Sequence, residues 1–556
     1  MNNISLNFED VTFMGLWGGK ITDLPPQMMN FLFENFQINN SNLRIKSLKE
    51  DTKNNFPITY EPSKINPNLL ERLNNISDLN FKQDLISRLK YSIGKSYWDL
   101  LRIKNGKIRK IVDGVVFPSS RNALIQLIQV ANEENFIIIP SGGNSSVTEP
   151  LDPPNDNRVV IAANLSLMNK VIKILPESHL VITEPGILLP DLDQVLKTEG
   201  LQLGHSPQSY IHTSVGGAIS SKGAGQLSSG FGTMADMVND LKIELPMGTV
   251  CNRKFLVPES AVGPRISEIF LGSEGALGII SEATLKVKPI QNKLFKAFLF
   301  KSFHEGVNAI RNVYQNGIRP TIIRFSDNFE TSLFFKLASD VSDTILINSA
   351  KKILPTYLKL RGFQDKDTFL LILMFEGPKQ LNKTQAKIAS KICKKYGGVS
   401  ITGMPAKAWY KDRYNLPFYR EKFFELGILV DTLETATTWE KIDTLYSEVM
   451  KKLKKYCKVR MAHISHVYEQ GASLYFTFMA EETFNWQNPL IFQIRQEIVE
   501  SFLINGGTIS HHHGVGSAYK NFLPKERDQI TLFLLKKIKN ALDPKNIMNP
   551  SSGLLE

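Results

Sequence analysis

The stretch Pro140-Ser141-Gly142-Gly143-Asn144-Ser145-Ser146 constrains this chain more than any other. Ahead of it runs Phe136-Ile137-Ile138-Ile139, an apolar, β-branched string that reads as a buried strand. A strand that empties into paired glycines and small hydroxyl residues makes a loop whose backbone N–H groups can point inward together. Such a nest suits a diphosphate, and the expected reason for glycine is that a Cβ would hold the ligand off the backbone. A strand-to-loop turn with no ligand fits the same residues, so the remainder of the chain has to decide.

At 556 residues the chain is too long for one core, and two or three domains are expected. A composition of 42% hydrophobic and 22% charged residues excludes a disordered chain. The longest apolar run, residues 369–375, has seven residues and reads as a strand too short to cross a bilayer. Three scattered cysteines, Cys251, Cys393 and Cys457, suggest neither a disulfide framework nor a zinc ribbon. The formal charge of +12 fits an anionic ligand or membrane-surface work. The lysine runs Lys451-Lys452-Leu453-Lys454-Lys455 and Lys536-Lys537-Ile538-Lys539 read as solvated helix faces. No zinc-finger spacing or aromatic RNA-binding signature accompanies them, so no nucleic-acid partner is expected.

Residues 1–105 are Asn-rich and weakly patterned; a helix is expected around 81–101, and no chemistry can be assigned to the segment. From Ile111 short strands alternate with helices. Ser120 should cap a helix carrying Ala123, Leu124, Leu127, Ile128 and Ala131 on one face. Strands are expected at 159–162 and Leu180–Thr183, followed by a helix opened by Pro190, faced by Leu192, Val195 and Leu196, and stopped at Gly200. The region 204–232 is dense in glycine and serine, including Gly204-His205-Ser206-Pro207-Gln208-Ser209, Thr213-Ser214-Val215-Gly216-Gly217-Ala218 and Ser221-Lys222-Gly223-Ala224-Gly225. Such backbone inside a folded domain wraps a ligand more readily than it packs a core, although a long surface loop is the plain alternative. A third glycine turn, Leu271-Gly272-Ser273-Glu274-Gly275-Ala276-Leu277-Gly278, leads into Ile279-Ile280 and the alternating Leu285-Lys286-Val287-Lys288.

In this order, the three glycine segments resemble the FAD-binding domain of the vanillyl-alcohol oxidase and p-cresol methylhydroxylase family, and Asp543-Pro544-Lys545-Asn546-Ile547-Met548-Asn549-Pro550 resembles that family's C-terminus. Within the family the chain is most similar to the alkyldihydroxyacetonephosphate synthases of ether-lipid synthesis. The resemblance implies an α+β architecture: a two-subdomain FAD-binding domain over 106–289, an α+β substrate cap over 290–500, a C-terminal segment 501–556 returning to the active site, and a mostly helical N-terminal segment 1–105. It places FAD along Pro140, Ser141, Gly142, Gly143, Asn144, Ser145, Ser146 and Val147, then Pro207, Gln208, Ser209, Thr213, Ser214, Gly216, Gly217, Ser220, Gly223, Ala224 and Gly225. Glu274, Gly275, Gly278 and Ile280 would line its adenine and ribose side. No histidine or cysteine sits in the first loop, so non-covalent FAD is expected.

In the cap, Arg324 and Arg420 are lone cations among apolar neighbours. A guanidinium there needs an anionic partner, either an internal carboxylate or a ligand's phosphate or carboxylate. A helix with Asn488 and Pro489 at its start carries Ile491, Ile494, Ile498 and Phe502 on one face and ends at Gly506-Gly507. Beyond it lies Ser510-His511-His512-His513-Gly514-Val515-Gly516. The family's metal-dependent 2-hydroxy-acid dehydrogenases supply two histidines and a carboxylate to zinc from comparable motifs. Here Tyr475 and His512 stand at two of those places, a poor zinc site but a reasonable proton-transfer pair, so no metal is expected.

The resemblance implies exchange of the acyl group of 1-acyl-dihydroxyacetone phosphate for a fatty alcohol, through attachment of the substrate carbon to flavin N5 and without net redox change. Tyr475, His511, His512 and His513 would move protons; Arg420, Arg324, Thr432 and His205 would hold the substrate. The alternative is an FAD-dependent dehydrogenase or oxidase of a 2-hydroxy acid. A homodimer with possible contact to a membrane surface is expected. The ending Leu554-Leu555-Glu556 is not a peroxisomal signal, and no secretory signal opens the chain, so a cytoplasmic location is expected.

Overall fold

The computed structural model describes residues 2–6, 23–37, 56–108, 110–251, 254–338, 359–363, 368–483 and 487–553. The C-terminal tripeptide lies outside them.

Isoleucines 137–139 are fully buried in the strand Ile137–Ser141, which runs parallel to Val160–Asn164 in a four-stranded sheet. Gly114–Pro118 is the other parallel neighbour of Val160–Asn164, and Leu79–Lys82 adds an antiparallel edge. The helix Arg121–Glu134 covers this sheet; the Ser120 hydroxyl accepts from the Ala123 N–H at 3.1 Å, and all five of its expected apolar positions are buried. A five-stranded antiparallel sheet follows, in the order Gly248–Cys251, Val238–Leu245, Ile279–Lys286, Leu180–Thr183, Val171–Leu175. The helix Leu189–Lys197 packs beneath it through Leu192 and Leu196. Val195, expected on that face, is instead 39% exposed, because the buried stripe runs through Leu189, Leu192 and Leu196 and leaves Val195 at its edge.

The cap is built on a seven-stranded antiparallel sheet, ordered Val399–Ile401, Asn292–Phe300, Phe369–Gly377, Ile322–Ser326, Val459–Val467, Gly471–Glu481, Ile428–Thr438. One face packs against the helices Phe303–Gln315, Lys379–Lys395, Ile442–Leu453 and Leu490–Ile504. Alternation along each strand sorts side chains by face. Leu474, Phe476 and Phe478 enter the helix-covered core, while Tyr475, Thr477 and Met479 project from the other face. The same rule pairs Ile323 and Phe325 against Arg324, and Ala462 and Ile464 against His463.

The expected helix at 81–101 is interrupted. Residues Leu79–Lys82 join the sheet, and two short helices, Leu85–Lys90 and Tyr97–Lys104, follow. Two caps compete with continuity: Asp84 accepts from the Ser87 N–H at 2.8 Å, and Ser96 and Asp99 cap each other's backbone N–H groups. Gly94 sits between the helices, where a Cβ would stand 2.6 Å from the Ser146 carbonyl.

The chain returns to the first sheet at its end. The Ile138 N–H donates to the Ile547 carbonyl and the Asn549 N–H to the Ile138 carbonyl. Lys539, expected on a solvated face, is only 4% exposed. Its ammonium donates to the Ala276 and Met548 carbonyls and pairs with Asp543 at 2.5 Å, tying the last helix to the third glycine turn. A buried cation so engaged is costly to remove, since the carboxylate is left behind. Lys539→Met should lower unfolding stability by ~3 kcal/mol, and the Lys539→Met, Asp543→Asn double variant by less than the sum of the singles, read from urea unfolding.

Candidate active site

One continuous cavity of about 2310 Å³ runs between the four- and five-stranded sheets and the open face of the cap sheet. That is several times the ~300–1,000 Å³ of a usual small-molecule pocket, so it has room for a dinucleotide and a second long ligand. Every cofactor residue expected above lines it except Gly225. Gly225 lies behind the wall, where a Cβ would stand 2.4 Å from the Ser206 nitrogen, so glycine there serves packing.

The glycines of the first loop also act differently from expectation. A Cβ on Gly143 would stand 1.5 Å from the His212 carbonyl, one on Gly142 2.0 Å from the Ser214 hydroxyl, and one on Gly275 2.2 Å from the Pro140 ring. They let the three segments close on one another, and that close approach makes the cradle. Asn144 takes a left-handed φ of 52°, and its amide donates to the Lys90 carbonyl at 3.3 Å while its buried Oδ1 has no protein partner. Buried Asn549, a cavity residue missed from sequence, donates to the Glu274 and Pro150 carbonyls and likewise leaves Oδ1 unpartnered. His205 is 2% exposed with Nδ1 unpartnered, and burial holds its pKa down at about 3. Converging backbone, a glycine cradle and orphaned polar atoms fit a dinucleotide such as FAD.

Opposite the loops stands a histidine turn gripped by a carboxylate that sequence reasoning did not find. Glu434, on Ile428–Thr438 directly across from Tyr475, accepts from the backbone N–H groups of His511, His512 and His513 at 2.9–3.2 Å and from the Ser510 hydroxyl at 2.9 Å. Its oxygens lie 3.4 Å from His512 Nδ1 and 3.6 Å from His513 Nδ1. Burial opposes its ionisation, yet the neighbouring imidazoles, His512 first, hold its pKa well below the usual 4.5. Nothing in the mixed polar and apolar strand Ile428–Thr438 marks its glutamate as the anchor of a turn 77 residues away.

The Tyr475 hydroxyl lies 3.4 Å from His513 Nε2 and accepts from the Thr432 hydroxyl at 3.2 Å. With Glu434 facing Nδ1, the tautomer assigned to His513 places its proton there and leaves Nε2 to accept from the phenol. Burial raises the Tyr475 pKa; burial, with the His512 charge second, lowers that of His513 to about 3. Tyr475, His512 and His513 all line the cavity, and His511 does not. The His511 ring is held 2.8 Å from the Tyr468 hydroxyl and 3.0 Å from His512 Nδ1, so it supports its neighbour from behind. Ring nitrogens of His466, His511 and His512 lie within 4.8 Å of one another, but His466 Nδ1 is 2.6 Å from the Ser228 hydroxyl and His511 is engaged as above.

Arg324, Arg420, Thr432 and His205 all line the cavity. Both arginines also have an internal carboxylate: Arg324 lies 2.6 Å from Glu330, and Arg420 lies 3.0 Å from Glu421 and donates to the Lys95 carbonyl. His463, also missed, sits 3.1 Å from Arg324 and from Glu330. Arg413 adds a third guanidinium to the wall, stacked 3.9 Å and 4.2 Å from the Tyr410 and Tyr414 rings. Asp431, beside Thr432, has its carboxyl pushed up to about 6 by burial, against the pull of Arg495. Glu274 spends its carboxyl oxygens on the Val515 and Gly516 N–H groups rather than leaving them to a ligand, and burial pushes its pKa up to about 8 against those bonds.

Two family models match the chain: "FAD binding domain" over residues 112–253 and "FAD linked oxidases, C-terminal domain" over 291–552. Alkyldihydroxyacetonephosphate synthase of Dictyostelium discoideum is 30% identical over 477 residues, covering 84% of this chain and 77% of the relative. A solved alkyldihydroxyacetonephosphate synthase superposes with a TM-score of 0.77 at 26% identity, over 94% of this chain and 92% of that one. The fold extends to p-cresol methylhydroxylase, with a TM-score of 0.61 at 16% identity, over 89% of this chain and 98% of that one.

Glu434→Ala should destabilise the protein by ~3 kcal/mol near neutral pH, since it strands three backbone donors and the Ser510 hydroxyl. Because Glu434 ionises below its unfolded value, its contribution is present above about pH 4.5 and is lost as pH falls through the folded value. The stability gap between wild type and Glu434→Gln should therefore close in acid, measured by denaturant unfolding across pH. Gly143→Ala should purify with most of its flavin lost, read from the visible absorbance.

Proposed function

The chain belongs to the alkyldihydroxyacetonephosphate synthase family of FAD-linked enzymes, and on that premise we propose that it replaces the acyl group of 1-acyl-dihydroxyacetone phosphate with a long-chain alcohol, without net redox change. The observation that carries this reading is the apolar stretch of the cavity wall. On the sheet face that carries Tyr475, Met28, Leu333, Phe423, Met461 and Met479 line the cavity as members of one apolar cluster, a surface that a small 2-hydroxy acid would leave uncovered and an alkyl chain would occupy. FAD is bound non-covalently, in the cradle of the three glycine segments.

Bound FAD supplies the electrophilic ring that activates the substrate carbon. The side chains supply binding and proton handling. Overall, the carbon–oxygen bond to the acyl group breaks, one to the alcohol oxygen forms, and the alcohol's proton leaves with the fatty acid. Tyr475 and His513 are suited to handle that proton: at neutral pH Nε2 of the neutral imidazole can accept one from the alcohol, and the protonated phenol can donate one to the departing carboxylate. Thr432 fixes the phenol oxygen, and Glu434 fixes the imidazole through both the turn and Nδ1. His512, beside the same carboxylate, is the second group at the cavity wall. Arg420 and Arg324 are assigned to the phosphate, and Arg413, on the same cavity wall, is tied to the FAD segments through the Tyr414 hydroxyl and Ser206.

Labelled long-chain alcohol should appear in a phosphate-bearing ketone product, and the flavin absorbance should be unchanged at the end of anaerobic turnover. Stoichiometric bleaching by a 2-hydroxy acid, without incorporation of label, would instead establish a dehydrogenase. Tyr475→Phe should keep its flavin and lose ~10²–10⁴ in kcat with little change in KM. Met461→Trp should shorten the longest alcohol accepted while leaving short ones unaffected.

A further inference from the structure

Away from the cavity, on the helix-covered face of the cap sheet, the helix Lys379–Lys395 carries six lysines and no acidic residue. Five of them, Lys379, Lys383, Lys387, Lys391 and Lys395, recur at every fourth position, so they share one side of the helix. Like charges at that spacing weaken a helix, and nothing in the cap's own packing repays them. All six are exposed, and among the described residues none is ion-paired. The packing is done by the opposite side, through Asn382, Ala386, Ala389 and Cys393.

Lys383, Lys387, Lys391 and Lys394 converge with Lys296 of the neighbouring strand on a groove of about 390 Å³. Leu294, Ala386, Ser390 and Ser400 complete its lining, and no carboxylate lies in it. Ser400 borders the active-site cavity as well. Met404, which lines that cavity and is 46% exposed, lies just beyond the same edge strand. Leu381 and Ile388 flank the lysine stripe on its outer side, 49% and 39% exposed.

We propose that the lysine face of Lys379–Lys395, with Lys296, docks the enzyme on a bilayer surface bearing anionic lipid headgroups, beside the edge strand Val399–Ile401, whose Ser400 also borders the substrate cavity. Clustered ammonium groups attract an anionic leaflet, and the exposed Leu381 and Ile388 can settle among headgroups. No aromatic side chain lines the groove, so the stacking platform a single-stranded nucleic acid would use is missing there. The lipid nature of the occupant rests on the long-chain substrate assigned above; the charge geometry does not.

Flotation of the full-length holoenzyme with phosphatidylglycerol–phosphatidylcholine vesicles, without substrate, tests the proposal. Binding should exceed that to pure phosphatidylcholine vesicles by at least about tenfold and fall as salt rises. Lys383→Glu, Lys387→Glu, Lys391→Glu and Lys394→Glu combined should lower it by about a hundredfold or more, and the same four as Gln by less. Retained flavin absorbance confirms that both variants are folded. Equal binding to the two vesicle types, an undiminished Glu variant, displacement by millimolar inorganic phosphate, or tighter binding of single-stranded DNA at the same salt would each overturn it. Turnover of detergent-dispersed substrate, assayed alongside, reports separately on the reading of function: an inactive protein that still floats would refute that reading and leave the docking surface standing.

Discussion

Two buried glutamate side chains hold the turn that completes the active site, and the rest of the site depends on them. Glu434 reaches from the cap sheet and takes the backbone N–H groups of residues 511–513; Glu274 reaches from the FAD domain and takes those of Val515 and Gly516. A turn of six residues is thereby fastened on both sides, by domains that touch it from opposite directions. Backbone donors buried without acceptors would cost the fold dearly, so each glutamate is held in place by the same bonds that hold the turn. The consequence is geometric. His512 and His513 have little freedom, and the side chains they face, Tyr475 and Thr432, sit on adjacent paired strands whose register is equally fixed.

The FAD cradle follows a parallel logic in which glycine substitutes for the glutamates. Segments near residues 142, 212, 275 and 514 come so close that a methyl group at these glycines would collide with hydroxyl, backbone, ring or carboxyl atoms. Close approach between chain segments creates a concave wall of backbone donors, and the cavity exists because those contacts hold it open on its inner side. At the far side residues 547–549 bond to Ile138 of the first sheet, and Lys539 locks the last helix against the third glycine turn. Burial then sets the chemistry: the His513 imidazole is kept neutral and the Tyr475 phenol protonated, a proton acceptor and a proton donor side by side on the cavity wall.

Much of this was legible in the chain. The strand before the first glycine loop, the capped helix after Ser120 and the helix ending at Gly506 were each readable from apolar spacing and capping residues, because both are local properties. The arginines were legible as ambiguous, and the structure resolves the ambiguity both ways, since each has an internal carboxylate and a place on the cavity wall. The expected helix across 81–101 failed because two competing caps outweigh an unbroken period. His511 was grouped with its neighbours because adjacency in sequence cannot tell which ring faces inward.

What the sequence determined by itself was the inventory and its order: which segments must bend through glycine, which strands carry one polar residue among apolar ones, and which family the three glycine turns together resemble. These depend on the covalent chain and on periods of two or a few residues. Tertiary structure alone decided the partners. Glu434 looks like any charged residue in a strand until Tyr475 lies opposite and the turn at 511–513 folds over it; Lys539 looks solvated until Ala276, Asp543 and Met548 surround it. Charge, burial and proton affinity belong to a side chain's surroundings, and those surroundings are assembled from residues hundreds of positions apart.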